Sequence, residues 1–309
     1  MDGDLALRLY RDMYLIRRFE ERVGQLFRRG LIPGFVHSAA GQEAPAVAVA
    51  HNLAEGDVVF SGHRAHGHIL ALGADPKAVL KEILGKKGGL SYGRAGSMHL
   101  FDPSVGFLGA SGVVGATLAI ALGAALAVRD RGNIAVVFFG DGASTTGVFH
   151  ESLNLASLWE LPVLFVCENN GYAEFSARSE QSRVAHVSRF AETFGIPAEV
   201  VGGEDARSVY AAARRAVADV RRGAPFLLEV EVVRLSGHYE GDPETYRNEE
   251  DEARLARDPV GRLRRLLAEE GVGEEALRLL EAEVEATVEA AEREAVADVY
   301  AEGAYLGRV

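Results

Sequence analysis

Two short apolar runs in the middle of the chain, residues 134–139 and 161–167, constrain the fold more than any other feature of the sequence. Both are rich in β-branched and aromatic residues and contain no charge, which is typical of strands buried on both faces of a parallel sheet. A predicted helix separates them, and polar residues follow each run, with Asp141 after the first and Asn170 after the second. Because ligands bind at the carboxyl ends of strands in open α/β sheets, we expect these side chains to share one rim that forms a site.

Composition and charge exclude several classes of protein. The chain has 309 residues, 48% of them apolar, and its formal net charge of −12 argues against nucleic acid or an anionic membrane as a partner. The longest apolar run, residues 113–128, is rich in Ala and Gly and favours a buried helix over a membrane span. The only cysteine, Cys167, is typical of a small core residue in a reducing compartment. The start of the chain has no features of a signal peptide, so we expect a cytoplasmic protein.

The order of the predicted elements indicates an α/β unit followed by a helical tail. Residues 1–248 are predicted to form an α/β domain with a mostly parallel, doubly wound sheet flanked by helices, beginning with an amphipathic helix over residues 5–29. Residues 249–309 are rich in Glu, Ala, Leu and Arg and predict helices that pack on this domain or on a partner subunit. Further predictions are strands over 198–201 and 225–235, a helix over 184–194, and a helix over 206–222 capped by Asp205.

A glycine-rich segment, residues 85–115, shows neither helical nor strand periodicity. So long a loop in a compact domain is usually functional or disordered. Because it runs directly into the apolar run at residue 113, we favour a backbone that approaches a ligand closely over a mobile surface loop.

The motif Gly140-Asp141-Gly142-Ala143 has three possible interpretations. By itself it is a common turn at the end of a strand. It also resembles the glycine-rich turn of dinucleotide-binding folds, although Thr145 stands where that pattern has a third glycine or alanine. A carboxylate aimed at a pyrophosphate repels it unless a cation lies between them, which leads to the third interpretation, a metal site.

Mg²⁺ supplies the missing cation. It prefers about six oxygen ligands and usually takes one or two from protein carboxylates, with the remainder from phosphates and water. Asp141 offers a carboxylate oxygen, Asn170 an amide oxygen, and the backbone after Asn170 a carbonyl. A right-handed crossover between the two strands brings these groups to the same rim.

The pair Gly140-Asp141-Gly142 and Asn169-Asn170 is similar to the thiamine diphosphate motif. The likeness extends over most of the chain, to segments at residues 34–37, 41–44, 63–67, 96–99, 112–115, 158–162 and 237–238. Together they resemble the alpha subunit of the thiamine-dependent component of 2-oxo acid and acetoin dehydrogenase complexes. The resemblance implies the thiamin diphosphate-binding fold, with thiamine diphosphate and Mg²⁺ as cofactors.

The resemblance implies roles for residues at the predicted rim. Asp141, Asn170 and the main-chain carbonyl of Tyr172 would bind Mg²⁺. His238 and His37 would be catalytic, near the reacting thiazolium ring and the incoming lipoyl group. Residues implied in cofactor binding are His63, Arg64, Gly112, Val114, Gly140, Asp141, Gly142, Ala143, Asn170, Arg234 and His238.

The resemblance implies which part of thiamine diphosphate each of these residues would contact. Arg64, with His63 beside it, would clamp the diphosphate, because a guanidinium offers a rigid fork of donors, and Arg234 would reach the same phosphates. Gly112 and Val114 would contact the aminopyrimidine through their backbones.

The resemblance also implies that the chain is one part of an enzyme. In the family, a glutamate of a separate beta subunit protonates the aminopyrimidine, so we expect two alpha and two beta subunits. Cleavage next to the carbonyl of a small-molecule substrate would release a two-carbon unit, which passes to a lipoyl group on an acyltransferase.

The resemblance constrains the substrate less than it constrains the cofactors. Tyr239 stands where mitochondrial relatives that act on pyruvate often carry a serine, and the segment 63–68 resembles the acetoin branch, so acetoin is favoured. Pyruvate and branched-chain 2-oxo acids remain alternative substrates. Two other classes of protein also remain as alternatives, an NAD-dependent oxidoreductase and a non-catalytic scaffold.

Overall fold

A six-stranded, wholly parallel sheet forms the centre of the computed structural model, which describes residues 3–247, 253 and 256–302. Its strands are β1 (Val58–Ser61), β2 (Phe107–Ala110), β3 (Ala135–Gly140), β4 (Val163–Asn169), β7 (Ala198–Gly202) and β8 (Phe226–Glu231). A separate antiparallel hairpin consists of β5 (Tyr172–Ala173) and β6 (Ser176–Ala177). The strand order in the six-stranded sheet is β2-β1-β3-β4-β8-β7.

Helices cover the sheet. They are α1 (Gly3–Arg28), α2 (Glu43–Ala50), α3 (His66–Ala71), α4 (Pro76–Ile83), α5 (Ala116–Val128), α6 (Gly147–Leu158), α7 (Arg178–Gln181), α8 (Ser188–Thr193), α9 (Ala206–Val220), α10 (Pro259–Glu269) and α11 (Glu274–Ala297). No helix among these is long and apolar enough to cross a membrane.

The two faces of the sheet pack against different sets of helices. Val136 and Phe138 of β3 belong to a core with α1, α2, α9 and α11, whereas Val137 and Phe139 belong to a second core with α5, α6 and α8. Successive side chains of a strand point to opposite faces, so a strand buried on both sides has an unbroken apolar run. The prediction of a doubly wound parallel sheet is confirmed.

The strand order reverses between β1 and β3. The chain continues from β1 to β2 on one side, and from β3 to β4 on the other. Such a reversal opens a crevice at the carboxyl ends of the two strands, where α/β proteins bind ligands. The register pairs Gly140 of β3 with Glu168 of β4, so Asp141 and Asn170 follow neighbouring strand ends, as predicted.

The structure differs from the predicted elements at three places. The glycine-rich segment contains β2, which pairs with β1 and was not predicted. Only Phe107 in this four-residue strand is buried, too little to produce a periodic signal. The helix predicted over residues 184–194 is limited to α8, and the strand predicted over residues 225–235 is limited to β8. The helix capped by Asp205 is present as α9, and the Asp205 side chain accepts a hydrogen bond from the backbone N–H of Arg207.

Two of the helices predicted for the tail, α10 and α11, pack on α1, α2 and α4. Tyr10 of α1 donates a hydrogen bond to Glu281 of α11 at 2.6 Å, and Arg17 of α1 pairs with Asp258 at the start of α10 at 2.7 Å. The predicted boundary between residues 248 and 249 lies outside the described residues.

Candidate active site

A cavity of about 390 Å³ lies at the carboxyl ends of the central strands, where the strand order reverses. Its walls come from the segments after β1, β3, β4 and β8 and from the glycine-rich segment before α5. The residues predicted for the site that line it are His37, His63, Arg64, Gly112, Val114, Gly140, Gly142, Ala143, Asn170, Tyr172, Arg234 and His238.

Asp141 lies just behind this wall, at the first position of a short 3-10 helix that follows β3. Its side chain is fully buried, and neither carboxylate oxygen has a hydrogen-bond partner among the described residues. Burial raises the pKa of Asp141 to about 6, although the charge of Arg178 and nearby backbone N–H groups lower it. A buried carboxylate without a partner is costly, so this position favours a bound cation.

Asn170 is held by hydrogen bonds at both ends of its amide. Its Oδ1 accepts from the backbone N–H of Tyr172, and its Nδ2 donates to Gln42, each at 3.1 Å. Between Asn170 and Tyr172 the backbone turns at Gly171, which has a φ of 82°. The turn sends the chain into the β5–β6 hairpin, which packs on the 3-10 helix at Gly142 so closely that a Cβ there would lie 2.6 Å from the Cβ of Ala173.

Two buried guanidinium groups form another wall of the cavity. Arg64 donates to the carbonyl oxygens of Ser38 at 2.6 Å and His238 at 2.9 Å, and Arg234 donates to the hydroxyl of Tyr246 at 3.0 Å. Burial and the charge of Arg234 lower the pKa of Arg64 to about 9. Two cations held so close together in the interior make a site for an anion with more than one charge.

The glycine-rich segment reaches the cavity at Gly112 and Val114. Gly115 then turns the chain into α5 with a φ of 82°, and a Cβ at this position would lie 2.9 Å from the side chains of Thr146 and Val148. The close packing of this turn brings the backbone of the segment against the cavity wall, which agrees with the preferred interpretation of the segment.

Three histidines meet at the cavity. The ring centroids of His37 lie 4.7 Å from His63 and 4.9 Å from His238. Burial, and next the charge of Arg64, lower the pKa of His37 to about 3 and that of His238 to about 4, and hold the pKa of His63 well below its usual value.

The side-chain nitrogens of these histidines lie within 4.8 Å of one another, close enough to consider a metal ion. The guanidinium groups of Arg64 and Arg234 each lie 3.3 Å from Nδ1 of His238. Their positive charge opposes the binding of a metal ion between the histidines. The cluster is better suited to neutral imidazoles than to a metal ion.

Several polar residues in or next to the cavity were assigned no role from the sequence, among them Gln42, Glu168 and Arg178. Gln42 and Glu168 line the cavity, and Arg178 holds the turn behind it by donating to Ser144 Oγ at 2.7 Å. Gln42 falls inside a segment that resembles the family, but nothing in its local pattern indicates its partners. Its neighbour Glu43 is fully buried and paired with Arg17 at 2.6 Å.

Comparison with known proteins agrees with this geometry. The sequence profile of the family described as "Dehydrogenase E1 component" matches residues 11–302. The alpha subunit of acetoin:2,6-dichlorophenolindophenol oxidoreductase from Cupriavidus necator is 46% identical over 96% of this chain and 91% of its own length. Its counterpart from Bacillus subtilis is 45% identical over 80% of this chain and 75% of its own length. The pyruvate dehydrogenase E1 component subunit alpha of Rhizobium meliloti is 43% identical over 90% of this chain and 82% of its own length. The chain therefore belongs to the dehydrogenase E1 component family.

Proposed function

We propose that this chain is the alpha subunit of a thiamine diphosphate- and Mg²⁺-dependent acetoin dehydrogenase. Its family implies thiamine diphosphate as the cofactor. The observation that carries the proposal is one cavity that is lined by the buried guanidinium groups of Arg64 and Arg234 and has, just behind its wall, the carboxylate of Asp141, which lacks a hydrogen-bond partner among the described residues. A metal-bound diphosphate matches this arrangement, because it brings a cation to the carboxylate and phosphate oxygens to the guanidiniums.

The donor set at the rim fits Mg²⁺. Asp141 would contribute a carboxylate oxygen, Asn170 its Oδ1 and Tyr172 its main-chain carbonyl, all oxygen ligands of the kind that Mg²⁺ prefers. The absence of any other partner for the Asp141 carboxylate among the described residues supports the metal role.

The remaining cavity residues would hold the organic part of the cofactor. Arg64, Arg234 and His63 would bind the diphosphate, together with the backbone of the turn at residues 140–143. Gly112 and Val114 would contact the aminopyrimidine through their backbones. When bound, thiamine diphosphate supplies a nucleophilic carbon and an electron sink for cleaving a C–C bond next to a carbonyl.

His238 and His37 would move protons at the substrate. Their lowered pKa values keep both imidazoles neutral near pH 7 in the cofactor-free chain. A bound diphosphate would offset the charge of Arg64 and raise these pKa values toward the range in which a histidine accepts a proton. Asp242 positions His238 by accepting its backbone N–H at 2.5 Å, and Tyr246 in turn donates to Asp242 at 2.7 Å.

The names of the relatives imply a beta subunit and a multienzyme complex. We propose a heterotetramer of two alpha and two beta subunits, in which beta supplies the glutamate that protonates the aminopyrimidine, and a lipoyl-bearing acyltransferase that receives the two-carbon unit. Exposed apolar side chains near the cavity and along α5 and α6 support a covering subunit. They are Val113, Val114, Ile120, Leu126, Leu158 and Trp159.

Acetoin is the favoured substrate because two of the similar relatives are named for it. The pyruvate dehydrogenase relatives support oxidative decarboxylation of pyruvate as the second candidate, with branched-chain 2-oxo acids as its variant. An NAD-dependent oxidoreductase fits poorly, since the Asp141 carboxylate would repel a pyrophosphate without a metal. Burial of the single cysteine, Cys167, in β4 agrees with a cytoplasmic location.

The test is reconstitution. The chain is purified together with its beta subunit and assayed with thiamine diphosphate, Mg²⁺ and 2,6-dichlorophenolindophenol on acetoin, pyruvate and branched-chain 2-oxo acids. We expect the highest turnover with acetoin and none from the alpha chain alone. Absence of turnover with every substrate contradicts the proposal, and full turnover from the alpha chain alone contradicts the heterotetramer.

A further inference from the structure

A chain of hydrogen-bonded side chains runs through the wall of the cavity. Asn170 donates to Gln42 at 3.1 Å, Gln42 donates to Glu168 at 3.2 Å, Glu168 lies 3.0 Å from Nε2 of His68, and Nδ1 of His68 lies 2.8 Å from the hydroxyl of Ser61. Gln42, His68 and Glu168 are only 2%, 3% and 4% exposed. We call these five residues the amide relay.

The relay joins four separate parts of the fold. Gln42 precedes α2, His68 belongs to α3, Glu168 and Asn170 are at the end of β4, and Ser61 ends β1. The ring of His68 stacks on Phe138 at 3.9 Å, which restricts its rotation. Glu168 therefore meets a fixed donor and is itself held in position.

The backbone N–H of Tyr172 sets the direction of the hydrogen bonds between Asn170 and Glu168. A backbone N–H only donates, so Asn170 turns its oxygen toward Tyr172 and its NH₂ group toward Gln42. Gln42 accepts that hydrogen bond with its oxygen and turns its own NH₂ group toward Glu168, whose carboxyl oxygen accepts it. This orientation follows from the backbone donor and does not depend on telling nitrogen from oxygen in either amide.

We propose that Gln42 and Glu168 are positioning residues that make Asn170 present an oxygen, and not an NH₂ group, to the divalent cation. This inference rests on the proposed Mg²⁺ site. An amide oxygen coordinates Mg²⁺ whereas an amide NH₂ group does not, so an Asn170 free to rotate loses the ligand for part of the time. Groups that orient metal ligands typically change affinity by about 10–100-fold when removed.

Two substitutions break the relay at different points. Gln42→Leu keeps a buried side chain of similar size and removes both amide contacts. Glu168→Gln keeps the shape but replaces the acceptor with an amide that can adopt either orientation, so the direction of the chain is lost. Ser152→Ala is the control, because Ser152 is equally buried, makes no hydrogen bond through its hydroxyl to the described residues and lies outside the cavity lining.

The measurement is Mg²⁺ affinity by isothermal titration calorimetry on the alpha–beta complex with saturating thiamine diphosphate. Thermal unfolding without cofactor serves as the check on folding. We expect Kd for Mg²⁺ to rise about 10–100-fold in Gln42→Leu and Glu168→Gln and to stay unchanged in Ser152→Ala. We also expect the double variant to bind Mg²⁺ as tightly as the single variant with the larger loss of affinity, because both substitutions act through the amide of Asn170.

The outcomes separate this inference from the proposed function. A wild-type complex without Mg²⁺-dependent cofactor binding overturns the proposed function and this inference with it. Normal wild-type binding with unchanged Kd in Gln42→Leu and Glu168→Gln, or additive losses in the double variant, overturns the inference alone. Where Gln42→Leu lowers the unfolding temperature, Glu168→Gln decides, because it keeps the shape of the side chain, and a Kd for Mg²⁺ equal to the wild-type value overturns the inference.

Discussion

Arg178 holds Asp141 by its backbone and leaves the carboxylate free. Nη1 of Arg178 donates to the carbonyl oxygen of Asp141 at 3.3 Å, while both carboxylate oxygens lack a hydrogen-bond partner among the described residues. The guanidinium therefore fixes the turn after β3 without neutralising Asp141 by direct contact. A carboxylate buried in this way destabilises the cofactor-free chain and is available to a metal.

The first prediction concerns the stability of the chain when Asp141 is replaced by Asn. Burial raises the pKa of Asp141 from 3.8 to about 6, so between these values the folded chain binds a proton that the unfolded chain has released. The stability that this bound proton contributes is therefore fully present below pH 3.8 and is lost as the pH rises through about 6. Asp141→Asn should raise the free energy of unfolding of the cofactor-free protein by about 1–3 kcal/mol at pH 7.5 and by much less at pH 4.

Urea unfolding at the two pH values measures the difference in the free energy of unfolding between variant and wild type. The contributions of the other titrating groups to stability cancel in that difference. The same variant should lose Mg²⁺-dependent binding of thiamine diphosphate in calorimetry. A variant that is less stable than the wild type at pH 7.5 contradicts the cost of burying the ionised carboxylate, and a variant that binds the cofactor as the wild type does contradicts the metal role of Asp141.

The second prediction concerns the diphosphate clamp. Arg64→Lys keeps the charge but loses the fork that contacts two backbone carbonyls, so we expect thiamine diphosphate affinity to fall about 10–100-fold, the value of one or two charge-assisted hydrogen bonds. Arg64→Met should weaken it further. Equilibrium dialysis of the cofactor measures both. Arg189→Met is the control, since Arg189 is exposed and pairs with Glu192 on the surface; equal losses in the control contradict a specific clamp.

The third prediction concerns the protonation of His238. Its pKa is lowered to about 4 by burial, and next by the charge of Arg64. Replacing Arg64 with Met should therefore move the pKa of His238 up toward its ordinary value. Diethyl pyrocarbonate reacts with neutral imidazole, so its rate at His238, followed by mass spectrometry across pH 4–8 on the cofactor-free complex, reports the change. An unchanged pH dependence would show that Arg64 does not control this histidine.

The fourth prediction compares two glycines of the same turn. A Cβ at Gly142 would lie 2.6 Å from the Cβ of Ala173, whereas nothing lies within 4 Å of a Cβ at Gly140. Gly142→Ala should push the β5–β6 hairpin away, lower stability by about 1–3 kcal/mol and weaken Mg²⁺ binding through Tyr172. Gly140→Ala should leave the stability of the cofactor-free protein within about 0.5 kcal/mol of the wild type. Equal unfolding midpoints for the two variants would contradict the contact.

The sequence by itself determined the layers of the fold and the rim of the site. The apolar runs that became β3 and β4 have no polar position, which only strands covered on both faces allow, and each changes to polar residues where it leaves the sheet. Parallel pairing then makes Asp141 and Asn170 neighbours, so local pattern and one topological rule were enough. By contrast, β2 was missed because a four-residue edge strand with one buried side chain, Phe107, leaves no periodic trace.

Only the tertiary structure decided how the site is held and charged. Gln42 and Glu168 are 126 residues apart, and a hydrogen bond over that distance in sequence leaves no mark on the local pattern of either. The low pKa of His238 likewise depends on burial and on Arg64, 174 residues away, since a charge acts through space and a sequence does not record which charges the fold brings together.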